Sequence, residues 1–155
     1  MINCPVPRAH RKLVFDFFWK FSAFECALKR GDYLRENREY ADADWAKFGS
    51  DIDSRFSMVP SPGFQEAVAK IKRLSPQRQV NRGGRLAWEP VQKRDKDSEA
   101  AYILTLLKTV RNNLFHGGKY RDGSVISEVA RDRELLQAAL TVLDGCFDLH
   151  PDINP

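Results

Sequence analysis

The chain is predicted to be all-α: a single-domain bundle of about five helices covering residues 1–155. Three observations predict it. Apolar residues recur at helical spacing in successive segments, short stretches rich in Gly, Pro, Asp and Ser separate those segments, and no stretch alternates apolar with polar residues as a half-buried strand does. A chain of 155 residues fits one domain with a substantial core.

The first helix is read from Arg11 to Lys29, with Gly31 ending it. Phe17, Phe21, Phe24 and Leu28 form one stripe, and Val14, Phe15, Phe18 and Trp19 widen it past what a single packing face requires. Such a helix is either buried on most sides or carries a second partner surface, such as a dimer face. Trp45, Phe48, Ile52 and Phe56 then share one helical face, with Asp42 or Asp44 suited to cap its start. Ser61-Pro62 reads as an N-cap followed by proline at the first helical position, and Phe64, Val68, Ile71 and Leu74 point inward before Ser75-Pro76 closes the helix.

From Gln77 to Lys96 the periodicity disappears. A basic irregular loop is expected over about 77–96, where Arg78, Arg82, Arg85, Lys93, Arg94 and Lys96 surround Gly83-Gly84 and Trp88. Its cations suit a phosphate backbone and Trp88 suits base stacking, although a solvated loop with Trp88 tucked into the core has the same composition. Asp97-Ser98-Glu99 supplies caps for the next helix, whose buried stripe is Ile103, Leu106, Leu107, Val110 and Leu114. Arg121-Asp122-Gly123-Ser124 is a turn. The last helix, roughly Ser127 to Leu149, buries Val129, Leu136, Leu140, Leu143 and Phe147.

The composition, 43% hydrophobic and 30% charged, is that of a soluble globular protein. Lys12, Asp16, Lys20 and Glu25 interrupt the most apolar segment, so no membrane span is expected, and the first residues lack a signal-peptide pattern. A cytoplasmic location follows as an expectation. Cys4, Cys26 and Cys146 lack metal-ligand spacing and are odd in number, so free thiols, with no metal or other cofactor, are expected. The net charge of +4 and pI near 9.0 permit an acidic partner such as RNA.

The densest chemistry lies in Thr109-Val110-Arg111-Asn112-Asn113-Leu114-Phe115-His116-Gly117-Gly118-Lys119-Tyr120, where an apolar helical run ends in reactive polar side chains. Arg111 offers a permanent charge in a planar fork that fits phosphate, and His116 offers a group that exchanges protons near neutrality. On an ideal helix they would point about 140° apart, separated by about 7.5 Å. Gly117-Gly118 is a helix stop that places His116 near the C-cap, where the long Arg111 side chain can meet it and the helix terminus favours the imidazolium.

Arg111-Asn112-Asn113 and His116-Gly117-Gly118 at the end of an apolar helix resemble the Arg-x4-His signature of the HEPN superfamily, small helical proteins of which many are metal-independent endoribonucleases in toxin–antitoxin and antiviral systems. Glu25-Cys26-Ala27-Leu28-Lys29-Arg30 is similar to the Glu-x3-Lys-Arg motif that accompanies that signature, although Glu25 and Lys29 are equally an ordinary i,i+4 helix pair. Asn112 resembles the polar residue that often follows the family's arginine, and a core or capping hydrogen bond is an equal alternative. The resemblance implies a HEPN-like bundle, a two-fold homodimer with its active site across the interface, and catalytic roles for Arg111, His116, Asn112 and Glu25. Lys29, Arg30, Lys119, Tyr120, Arg82 and Arg85 are the candidate RNA contacts. Tyr120 stands four residues after His116 and so departs from the family branch whose tyrosine is modified by a partner nucleotidyltransferase.

RNA carries its own nucleophile, so cleavage needs a proton acceptor, a proton donor and a cation for the phosphorane-like charge, but no metal. Arg111 fits the third role and His116 either of the others. A second copy would supply the missing histidine, with the aromatic excess of the first helix as interface. An antitoxin or other defence protein is a further expected partner. The competing reading is a catalytically silent HEPN-like module that binds RNA or protein. A nucleotide-processing enzyme is disfavoured, because neither Gly83-Gly84 nor Gly117-Gly118 belongs to a phosphate loop of P-loop or Rossmann type.

Overall fold

The computed structural model describes residues 8–115 and 125–149. Five helices and one hairpin follow in the order α1 (Arg8–Arg30), α2 (Trp45–Phe56), α3 (Pro62–Leu74), β1 (Gln77–Arg82), β2 (Arg85–Pro90), α4 (Glu99–Phe115) and α5 (Val125–Asp148). α2 packs on α4, α3 and α1 each pack on α5, and α3 also meets α4. None of the described helices is long and apolar enough to cross a membrane.

The expected stripes supply most of the core, with Leu74, Leu114, Leu140 and Phe147 only partly buried against it and the Val129 side chain outside what the structure describes. Phe17, Phe21, Phe24 and Leu28 of α1 are buried, as are Phe48, Ile52, Phe64, Ile71, Ile103, Leu106 and Leu107 on the other helices. Each such side chain contributes roughly 1.5–3 kcal/mol of burial. Phe24 joins three helices: its ring lies 5.3 Å from Trp45, 5.3 Å from Phe48 and 4.2 Å from Phe147. Gly49 lets α2 approach α4, because a Cβ there would stand 2.5 Å from the Ala101 Cα.

Caps hold the helix ends where the spacing placed them. Asp44 accepts the Lys47 amide at 3.0 Å and starts α2. Ser75 closes α3 in the left-handed conformation, donating its amide to the Ile71 carbonyl. At the start of α4, Ser98 accepts from the Ala101 amide and Asp53, reaching over from α2, accepts from the Ala100 amide. A carboxylate at that end also answers the helix dipole.

The all-α expectation needs one correction. Residues 77–90 are not an irregular loop but an antiparallel hairpin, with Arg78 opposite Glu89, Gln79 opposite Trp88 and Arg82 opposite Arg85 across Gly83-Gly84. Both turn glycines have positive φ, +58° and +80°, which a two-residue hairpin turn of this hand requires. The strands lacked an alternating signature because the sheet is two-stranded and largely exposed, so neither face is driven to be apolar. Glu89 accepts from Arg78 and Arg82 on one face and so offsets a row of arginines. The hairpin is tethered to the motif helix: Asn113 Nδ2 donates to the Gln77 carbonyl at 2.7 Å.

Candidate active site

Glu25 and Arg111 each stand at the margin of a buried stripe, Glu25 beside Phe24 on α1 and Arg111 beside Val110 on α4. The folding of those stripes into one core therefore brings the two polar residues together. Arg111 Nη2 lies 3.8 Å from Glu25 Oε2, Lys29 Nζ lies 2.8 Å from Glu25 Oε1, and Arg111 Nη1 donates to Asn112 Oδ1 at 3.0 Å. The guanidinium also sits 5.7 Å from the Phe21 ring centroid and 5.3 Å from that of Phe115.

This geometry orients Arg111 without consuming it. A guanidinium carries five N–H donors, and the bond to Asn112 uses one of them. The Glu25 contact is long and partly solvated, worth about 0–1 kcal/mol as a surface pair. The remaining donors stay available to a phosphate, for which the planar fork is suited. Glu25 is shared between Lys29 and Arg111, so the cluster keeps an excess of positive charge.

Lys108 belongs to the same cluster and was not singled out from the sequence. It lies three residues before Arg111 on α4, half-buried. Its pKa falls below the ordinary lysine range, first because burial disfavours the ammonium and then because Arg35 is near, while Asp42 and Glu25 act against the shift. The i,i+3 spacing to Arg111 was the available signal. Arg35 and Asp42, paired with each other at 3.4 Å, come from the segment between α1 and α2, which no spacing rule connects to α4.

The other expected site residues are dispersed. Arg30 is exposed at the end of α1, next to Lys29. Arg82 and Arg85 face each other beside the hairpin turn, about 16 Å along the strands from the Gln77 anchor at 3.3 Å per residue. Arg82 is ion-paired with Glu89, and Arg85 has no ion pair among the described residues. His116, Lys119 and Tyr120, together with the glycine stop at Gly117-Gly118, lie outside the described residues, where α4 is followed only to Phe115. The structure thus unites Glu25, Lys29, Arg111 and Asn112 and sets Arg82 and Arg85 apart on the hairpin.

Comparison with protein-family models, with curated proteins and with solved structures finds no match for this chain.

Proposed function

We propose that the chain is a metal-independent endoribonuclease in which the RNA 2′-hydroxyl attacks the adjacent phosphate, leaving a 2′,3′-cyclic phosphate and a 5′-hydroxyl. The observation that carries this reading is the partly exposed Arg111 guanidinium, steered by Glu25 from the second HEPN-like motif and still holding spare donors. Arg111 stabilises the charge that develops on the phosphorane, and His116, five residues on, transfers a proton. Asn112 and Glu25 keep the guanidinium in place, and Lys29 adds positive charge beside it. A second copy of the chain, related by a two-fold axis near the end of α4, supplies the second histidine that separate acid and base roles require. A toxin–antitoxin or antiviral setting suits a small nuclease of this kind.

A binding module without catalysis is the second reading, favoured by the exposed hairpin with Arg85 at its turn. His116→Ala separates the two. The ribonuclease loses cleavage and keeps its affinity for RNA, whereas in the binding module the change leaves behaviour as it was and Arg85→Ala weakens the complex.

A further inference from the structure

Lys108 is half-buried on α4, and among the described residues it makes no hydrogen bond and no close ion pair. A charge withdrawn from water is normally paired. The charged groups that act on Lys108 come from three elements: Arg35 and Asp42 from the segment between α1 and α2, Glu25 from α1, and Arg111 from α4 itself. Both carboxylates are engaged elsewhere. Asp42 holds Arg35 at 3.4 Å, and Glu25 holds Lys29 at 2.8 Å with Arg111 at 3.8 Å. Lys29, Arg35, Lys108 and Arg111 thus share two carboxylates, and the member left without a close partner is Lys108.

The side of α4 that carries Lys108 is open to a ligand. Arg35 also lines a cleft of about 390 Å³ between α2 and the start of α4, and Ala101 forms part of its wall. Ala101 and Lys108 are seven residues apart, so they project within about 20° of one another on the helix. Lys108 and Arg111 are three residues apart, which puts their Cβ atoms about 5–6 Å from each other. That separation is comparable to the step between neighbouring phosphates on one strand.

We infer that Lys108 is a phosphate subsite for single-stranded RNA: it takes the phosphate next to the one held by Arg111, with Arg35 beside it, and lays the strand along α4 towards the cleft. The arriving phosphate supplies the charge partner that the fold withholds from Lys108. The assignment of that phosphate to RNA rests on the ribonuclease reading, whereas the anion site itself does not. A free phosphate has the same chemistry but brings no neighbour for Arg111. A two-fold around Arg111 is compatible with the subsite, because each copy's surplus charge is met by the strand that it holds.

The test is a titration of the full chain, at several salt concentrations, with a fluorescent 2′-O-methyl oligouridylate, which has no 2′-hydroxyl to attack. Lys108→Met removes the ammonium and keeps an apolar stem, and Lys70→Met removes a half-buried ammonium from α3 as a control for net charge. Lys108→Met is expected to weaken binding about ten-fold and to make the log–log salt dependence shallower by about 0.7, the share of one phosphate on a single strand. Lys70→Met is expected to change neither. Unchanged strand affinity in Lys108→Met overturns the subsite, even where inorganic phosphate still binds the wild type through Lys108, since that gives the site to a free anion. So does weaker binding with the salt slope intact, which is what a purely structural lysine gives, an equal loss in both variants, or a wild-type chain that does not bind the strand. A chain that shows the Lys108 salt signature yet fails to cut the ribose counterpart keeps the subsite and removes the ribonuclease reading. A chain whose cutting of RNA is unchanged in kcat and KM by Lys108→Met does the reverse.

Discussion

Arg111 of α4 points its Nη2 at Glu25 Oε2 of α1 from 3.8 Å, and the same carboxylate holds Lys29 at 2.8 Å through its other oxygen. One acidic side chain therefore aligns two cations from different helices, and the shape of the guanidinium decides whether the arrangement works. Arg111→Lys keeps the charge but loses the fork that reaches Glu25, Asn112 and a phosphate together. Cleavage by this variant is expected to fall about 10²-fold or more, with a smaller change in RNA affinity, measured as kcat and KM on a labelled single strand.

Lys108 is expected to cost stability at neutral pH. Its pKa in the fold lies below the ordinary 10.5, mainly through burial, so between the folded and unfolded values the unfolded chain binds more protons and stability rises with pH. Below that window the cost is present in full. Lys108→Met is expected to raise Tm at pH 7 by roughly a few degrees, with the advantage shrinking as the pH climbs towards 10.5. Calorimetry at several pH values checks both the sign and the trend.

The α2–α4 contact depends on one missing methyl group. A Cβ at Gly49 would meet the Ala101 Cα at 2.5 Å and its amide nitrogen at 2.7 Å, both backbone atoms that cannot swing aside. Gly49→Ala is expected to destabilise the fold by about 1–3 kcal/mol, read from the denaturant midpoint. Loss of α2 packing also disturbs Asp53 at the start of α4, the helix that carries Arg111.

Thiol reactivity is expected to divide along burial. Cys26 is exposed on α1, whereas Cys146 is buried in α5 and its thiol is pushed far up by desolvation. Alkylation followed by peptide mapping is expected to label Cys26 in the native protein and Cys146 only on unfolding.

What the sequence disclosed follows from which forces are local. Trp45, Phe48, Ile52 and Phe56 could be read as one face because helical period alone sorts them, and Asp44 and Ser75 mark helix ends by their own chemistry. The hairpin escaped because Gln77–Arg82 has one apolar residue, Val80, and its pairing is completed by a partner strand rather than by a core. The Gly83-Gly84 pair was the legible clue, having the length and the freedom of φ that a tight hairpin turn needs. The Glu25–Lys29 pair was visible from spacing, but the approach of Glu25 to Arg111 is tertiary and came only from resemblance. Arg35 and Asp42 beside Lys108 had no local signature at all.

The most direct measurement is cleavage of single-stranded RNA by the purified chain in excess EDTA, with the product ends identified by mass spectrometry. The account predicts cleavage that persists in the chelator, leaves 2′,3′-cyclic phosphate and 5′-hydroxyl ends, and disappears in His116→Ala. Cleavage that appears only with added divalent metal, or that survives His116→Ala undiminished, would contradict it.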